Sequence, residues 1–427
     1  MIFFLYFWQK DKLMVVRKPY WIPLFTTNFT GVLNDNLLKN LICFISVYWV
    51  AKGQASMVIT LATGVMVLPY ILFSPLAGRL AKRYSKRLIV KYMKLAEMPI
   101  MLFAVSGFYF ANLYMVISAM FLMGLQSTIY SPAKYGLIRD IGGEEGISFG
   151  TGTVEMLTFL GVLLGSFFAG LLSDVEQYRL LIITAVVMSV ALLGYGASLK
   201  LKAEESQPDK DDNLSLNPIL FIKHMFNWAK KEVKGLNVIV LGLSSFWLIG
   251  SLIQMNLLVY CPQELQISNS ETGLIMALMA VSVALGCWLA GIISKKTVET
   301  GLIPLGGSGL ALSILLIVIL RPEKLWFVIL ILLAALSSGF LKVPLNAWIQ
   351  AQVKGRKLGD AIAYNNLMNF VFILISAALF GWIDAAFGAR IVFLTVAVLS
   401  VMLTLVLTIK VADSREKLKH LLKWHKH

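Results

Sequence analysis

The sequence predicts an all-α polytopic membrane protein: twelve transmembrane helices in two six-helix bundles, with both termini cytoplasmic. Three observations carry this. Of its 427 residues, 58% are hydrophobic and only 14% charged, where a soluble domain carries roughly a quarter. A mean hydropathy of +0.78 leaves more apolar side chains than one water-facing fold can hide, since a single core stops growing near about 250–300 residues. Twelve spans of about 20 residues fit the length and leave short loops plus one longer linker.

The elements follow in order. Residues 1–20 are read as a cytoplasmic N-terminal segment. MIFFLYFW has neither a basic region before its apolar stretch nor a small-residue cleavage site, so it is not a signal peptide, and Met14 is an alternative start. Apolar runs bounded by charges or Gly/Pro breaks give spans at 21–50, 56–78, 88–110, 112–132, 147–172 and 180–199, then 236–261, 270–293, 300–320, 325–345, 361–383 and 390–410. Residues 21–199 form one bundle and 236–410 the other. The cytoplasmic linker, 200–235, opens with KLKAEESQPDKDDN, too polar to fold or insert. It continues as an interfacial helix started by Asn217-Pro218. Residues 411–427 are a basic tail suited to lie on anionic headgroups.

Orientation follows from Lys and Arg. With the N-terminus cytoplasmic, and with Lys91, Lys94, Arg390 and Lys410 near span ends counted with the adjoining loops or tail, 31 of the 38 fall on the cytoplasmic side, five on the opposite side (Lys52, Arg179, Arg321, Lys324, Arg390), and two, Lys39 and Lys342, within spans. That asymmetry is the positive-inside pattern. It accounts for the net charge of +15 without nucleic acid. Cys43, Cys261 and Cys287 show no CxxC or metal spacing and read as small apolar residues. No GxxxxGK[ST] loop, HEXXH pair or HxxxxD signature occurs, so neither an enzyme, a cofactor nor a metal is expected.

Polar groups inside spans are the functional candidates, because an ionisable residue near mid-bilayer costs about 2.5–3.5 kcal/mol on insertion scales. Asn34-Asp35-Asn36 and Lys39 lie in the first span. Asp35 and Lys39, at i,i+4, are expected to pair, either to fix the helix or with Asp35 facing a cavity. Glu155, in the fifth span one to two turns from its cytoplasmic end, suits a gate or a substrate contact, with Gly161, Gly165 and Ala169 as a packing stripe. Lys342, Asn346 and Gln350 form one polar face of the tenth span, and Asn365, Asn366 and Asn369 open the eleventh. Such a stripe lines a water-filled cavity more readily than it faces lipid, though Lys342 could snorkel.

Two six-span halves about a cytoplasmic linker resemble the major facilitator superfamily. A weak internal echo agrees: Pro132 closes the fourth span with Glu155 23 residues later, and Pro344 closes the tenth with Asn366 22 later. GRLAKRYSKR (Gly78–Arg87) stands where that superfamily keeps its inter-span motif, with Lys82 in place of the usual acid and Lys86 and Arg87 retained. The missing acid questions whether this loop is latched by the usual charge relay. TGVLNDNLLKN, YSPAKYGLIRD and VPLNAWIQ followed by YNNLMN are similar, in order along the chain, to the bacterial lysophospholipid transporter family.

The resemblance implies an inner-membrane flippase. It would move lysophospholipids, chiefly lyso-phosphatidylethanolamine, to the cytoplasmic leaflet by alternating access, for reacylation by a separate acyl-carrier-protein-dependent acyltransferase. The protein itself is expected to be monomeric. Carried over by position, Asp35 meets the headgroup amine and Lys134 its phosphate, with Asn36, Lys39 and Glu155 nearby. The gate comprises Arg79, Lys86, Arg87, Tyr135 and Arg139. Family members carry a basic residue after a Phe-Trp pair in the seventh span. Here Phe246-Trp247 are present, the matching position is Gln254, and Lys342 is the candidate substitute, with Asn346, Asn366 and Asn369 beside it. Two rival readings are a proton-coupled exporter of amphiphilic drugs and a scaffold for the acyltransferase.

Overall fold

The computed structural model describes residues 20–46, 49, 55–175, 177–209, 215–411 and 413–423, of which 55–63, 269–270 and 420–423 as backbone alone. The expected N-terminal segment up to residue 19, Lys52 and linker residues 210–214 lie outside them. Thirteen helices and no strand occur among the described residues. They are α1 (Trp21–Ser46), α2 (Ala55–Arg83), α3 (Lys86–Tyr109), α4 (Leu113–Ser173), α5 (Arg179–Leu199), α6 (Pro218–Glu232) and α7 (Leu236–Glu264). There follow α8 (Asn269–Ile293), α9 (Leu302–Leu320), α10 (Lys324–Gln352), α11 (Lys357–Phe387), α12 (Ala389–Lys410) and α13 (Ser414–Lys423).

The 61-residue α4 holds two spans joined at Gly143, whose φ of +62° and ψ of −168° break the helix. Only glycine takes that backbone without strain. Its two limbs and ten other long helices supply the twelve spans of an all-α polytopic membrane protein. Nine described helices, α4 among them, are long and apolar enough to cross a membrane by length and composition. The long helices that fall short are α1, which carries Asn34-Asp35-Asn36 and Lys39, and α3, which carries Lys94 and Glu97.

Two expectations are corrected here. Pro132 and Pro344 do not close their spans. Both lie inside their helices, α4 running on to Gly143 and α10 to Gln352. Membrane helices tolerate interior proline because neighbours re-satisfy the freed carbonyl. Moving the joint to Gly143 also puts Glu155 about 18 Å along the second limb, at 1.5 Å per residue. Glu155 is therefore near mid-span rather than at the end.

The chain divides into two compact units that do not follow the sequence halves. The first comprises Met1–Gly146, Leu160–Met225 and Val353–Tyr364; the second comprises Ile147–Phe159, Phe226–Gln352 and Asn365–His427. The turns of α4 that carry Glu155 thus belong to the second unit.

In the first unit, Leu37, Leu41, Met101, Ala104, Met120, Met123, Ile183 and Val187 form a buried core. Gly165 lets α4 approach α1 closely, since a Cβ there would lie 2.5 Å from the Leu33 carbonyl oxygen. In the second unit, Tyr260, Phe327 and Phe393 stack in a ring cluster. Outer helix faces stay apolar and exposed, as with Leu181 and Leu193 on α5 and Leu405 and Ile409 on α12. In a polytopic membrane protein these faces meet lipid.

Asn217 starts α6 as expected, its Oδ1 accepting from the N–H groups of Ile219 (3.0 Å) and Leu220 (3.3 Å). The tail helix α13 is seated by the protein as well: Lys417 Nζ donates to the Val298 carbonyl at 2.7 Å.

Candidate functional site

Buried charge gathers in the first unit around α1. Asp35 lies near the middle of α1 and is 7% exposed. Its Oδ2 accepts from Ser127 Oγ on α4 at 2.7 Å, while its buried Oδ1 has no hydrogen-bond partner among the described residues. Asp35 lines a cavity of about 60 Å³ with Gly31, Tyr70, Lys94, Tyr130 and Lys134. Such a space admits a few waters, and its polar walls suit them.

The expected Asp35–Lys39 pair does not form. Lys39 is only partly buried and donates to Asn36 Oδ1 at 3.1 Å. Asn36 in turn donates to the Val32 carbonyl at 2.9 Å. Asp35 instead points at α4, so side-chain reach toward a neighbouring helix overrides the spacing along α1.

Two lysines flank the same cavity. Lys134 Nζ donates to Asn28 Oδ1 at 3.0 Å and lies 4.6 Å from the Tyr135 ring centroid. Lys94, on α3, is 1% exposed and bonds Glu97 Oε2 at 2.8 Å; Glu97 is fully buried. Asn34 ties this pair to α1, donating to Glu97 Oε1 at 2.7 Å and to the Val187 carbonyl at 3.2 Å. Lys94 and Lys134 lie 5.5 and 5.8 Å from the Tyr130 ring centroid, within cation–π range.

Glycine makes room for Lys94. A Cβ at Gly31 would sit 2.5 Å from its Nζ, and one at Gly194 would sit 3.3 Å from its Cδ. Sequence reasoning missed this residue, and the charge count above assigns it to a cytoplasmic loop; that assignment is corrected. The available signal was KYMKLAE, opposite charges at i,i+3 inside an apolar run.

A second cluster lies wholly within the second unit. Glu155, 0% exposed, accepts from Lys342 Nζ at 2.6 Å and from Asn346 Nδ2 at 3.0 Å. One turn on, Gln350 Nε2 donates to Thr151 Oγ1 at 2.9 Å. The α10 stripe of Lys342, Asn346 and Gln350 therefore faces a matching stripe on α4. Lys342 does not snorkel: it is 2% exposed, with its amine 4.5, 4.6 and 5.6 Å from the ring centroids of Trp247, Phe159 and Phe246. Asn369 accepts from Ser244 Oγ at 3.1 Å, and Asn366 is partly buried on the same helix. Gln254, exposed on α7, has no part in this cluster.

The expected gate residues cluster at one end of the first unit. Lys86 pairs with Asp140. Arg139 donates to the Val353 carbonyl at 2.9 Å and pairs with Glu144 at 3.3 Å. Arg79 is partly buried in the last turns of α2.

Linker residues 201–209, expected to be unstructured, are held against this end. Glu205 accepts from Ser85 Oγ (2.7 Å), from the N–H groups of Lys86 (2.6 Å) and Arg87 (3.2 Å), and pairs with Arg87 (3.2 Å) and Arg356 (3.4 Å). It caps the N-terminus of α3, where a negative charge is favoured. Burial pushes the Glu205 carboxyl up, but these hydrogen bonds and the Arg356 charge outweigh it and hold the group below its ordinary value. Lys82 pairs with Asp209 at 3.1 Å. The acid missing from position 82 is thus replaced by acids from the linker.

Comparison with known proteins agrees with this architecture. The sequence profile of the Major Facilitator Superfamily matches residues 24–371. Lysophospholipid transporter LplT of Photorhabdus laumondii is 27% identical over 328 residues, 74% of this chain and 77% of that protein. The protein of the same name from Pectobacterium carotovorum is 27% identical over 312 residues, 70% and 72% of the two chains. Among solved structures, the human organic anion transporter MFSD10 aligns with a TM-score of 0.72 at 16% identity, covering 91% of this chain and all of the other. The transporter FucP aligns at 0.73 with 13% identity, covering 91% and 98%. At those identities the shared feature is the fold.

Proposed function

We propose that this chain, which belongs to the major facilitator superfamily, is a lysophospholipid flippase rather than an enzyme. It moves lyso-phosphatidylethanolamine to the cytoplasmic leaflet of the bacterial inner membrane, with both termini cytoplasmic. A separate acyltransferase then restores the second chain. The relatives named as lysophospholipid transporters support the substrate class.

One observation carries the reading: opposite charges share a single buried cavity, with the Asp35 carboxylate on one wall and Lys94 and Lys134 on others. A phosphoethanolamine head bears both signs, and taking it out of water at tolerable cost needs a partner for each. Asp35 receives the amine and Lys134 the phosphate, while the acyl chain stays in lipid. A headgroup is larger than the present cavity, so the lining helices part to admit it. Transfer of a zwitterion moves no net charge, so the membrane potential supplies little drive. Reacylation of the product sets the direction.

The test is transport by the purified protein in liposomes. Labelled lyso-phosphatidylethanolamine is added outside, and its arrival in the inner leaflet is read with and without a proton gradient. The reading expects protein-dependent flipping at similar rates in both conditions. Flipping only with a gradient supports the proton-coupled exporter instead, and no flipping rejects the substrate class.

A further inference from the structure

We infer that Gln126 is a specificity-determining residue of this site: together with Asp35 it presents two acceptors to the headgroup amine, so that the site selects by the number of N–H donors on that amine. The inference rests on the lysophospholipid reading and deepens it.

The cavity wall is short of hydrogens. Asp35 on α1 and Gln126 and Ser127 on α4 are 7%, 5% and 8% exposed, and all three line the cavity. Ser127 Oγ lies 2.7 Å from Asp35 Oδ2 and 3.0 Å from Gln126 Oε1. A serine hydroxyl carries one hydrogen, while carboxylate and amide oxygens only accept. One hydrogen therefore serves two acceptors, and Asp35 Oδ1 has no hydrogen-bond partner among the described residues.

The donors nearby are engaged elsewhere. Lys94 donates to Glu97, Lys134 to Asn28, and Tyr70 bonds Ser127. Nor does the Gln126 amide turn round to supply a hydrogen. Its Nε2 donates to the Met93 carbonyl on α3 at 3.0 Å, which fixes Oε1 on the side of Ser127.

A primary ammonium completes this wall. One N–H meets Asp35 Oδ1 and a second meets Gln126 Oε1, which leaves the Ser127 hydrogen wholly to Asp35 Oδ2. The third N–H is surplus. Replacing N–H groups by methyls leaves the charge of the head unchanged, so charge alone does not separate an ethanolamine from a choline head. Donor count does. A buried acceptor left unpaired costs its full desolvation, and a site built to hydrogen-bond a substrate N–H rejects the analogue lacking it. Each charge-assisted bond lost here is worth about tenfold or more in rate.

The experiment reconstitutes the full chain in phosphatidylcholine liposomes. It measures flipping of chain-labelled lysophospholipids with ethanolamine, N-methylethanolamine, N,N-dimethylethanolamine and choline heads, each by albumin back-extraction from the outer leaflet. Rates are scaled to the ethanolamine lipid for each protein, which cancels differences in the amount of folded material. In wild type the first methyl is expected to change the rate by less than about threefold, and the second and third to lower it about tenfold each. In Gln126→Leu one acceptor is gone. The dimethyl head should then move within about threefold of the ethanolamine head, with the drop at the third methyl alone remaining. A barrier set by headgroup size would instead persist in this variant. The wild-type series decides by itself should Gln126→Leu fail to fold. A wild-type profile whose first step is not at the second methyl, or a Gln126→Leu profile that keeps that step, overturns the inference. So does wild-type protein that moves lysophosphatidylglycerol and none of the four. Wild-type protein that moves none of the five lipids overturns the lysophospholipid reading on which the inference rests.

Discussion

Replacing Lys342 with methionine removes one half of a buried ion pair, while the hydrogen bond from Asn346 to Glu155 at 3.0 Å stays in place. Stranding a buried charge in this way costs about 3–5 kcal/mol. Loss of the amine from the faces of Trp247, Phe159 and Phe246 adds to this, at about 0.5–2 kcal/mol for a desolvated cation–π contact. Spread over a chain of 427 residues, 3–5 kcal/mol lowers the melting temperature by about 3–6 °C. Glu155→Gln in the same background removes the stranded charge and recovers most of the loss, because a buried pair exchanged as a whole for neutral groups is often near neutral in stability.

The assay is a thermal ramp with a thiol-reactive fluorophore. Cys261 and Cys287 are both buried and unpaired with other cysteines, so they label on unfolding. A double variant that melts no higher than Lys342→Met would refute the reasoning. It would show that the two charges do not stabilise each other.

Three further outcomes follow from packing and the linker contacts. Gly165→Ala places a methyl 2.5 Å from the Leu33 carbonyl oxygen and should cost about 1–3 kcal/mol, seen as a lower melting temperature in the same ramp. Gly31→Ala displaces the Lys94 amine; it should slow lysolipid flipping at unchanged protein yield, which the liposome assay measures. Glu205 is held below its ordinary value of 4.5, so its stabilisation of the latch is complete above about pH 4.5 and is lost as pH falls through the lowered value. Hydrogen exchange at the Lys86 and Arg87 amides should accelerate across that acid range in wild type. In Glu205→Gln it should be fast already at neutral pH and lack this step.

Apolar run length made most of the helices legible, because lipid demands it of every span. Run length does not say where a helix stops. Gly143, rather than Pro132, separates the two limbs of α4, since proline is tolerated in a membrane helix and a positive φ is not helical. Local spacing identified the Lys342, Asn346 and Gln350 stripe, but not its partners on α4, which lie 187 or more residues away in the chain. The same limit hid the Asn34–Glu97 contact, 63 residues apart, whereas the Lys94–Glu97 pair lay within local reach at i,i+3. A positive-inside count cannot distinguish a loop lysine from one drawn into a span by a buried glutamate. At Lys82 the departure from the superfamily pattern was visible, whereas its compensation by Glu205 and Asp209 needed the linker's path in space.

The central claim is that buried side chains of the first unit carry a charged lipid head through the membrane. The flipping rate of Asp35→Asn in liposomes, at matched amounts of folded protein, tests it most directly. Loss of a charge-assisted contact to the headgroup amine, worth about 1.5–3 kcal/mol, predicts a rate at least about tenfold below wild type. A rate within twofold of wild type would contradict the account.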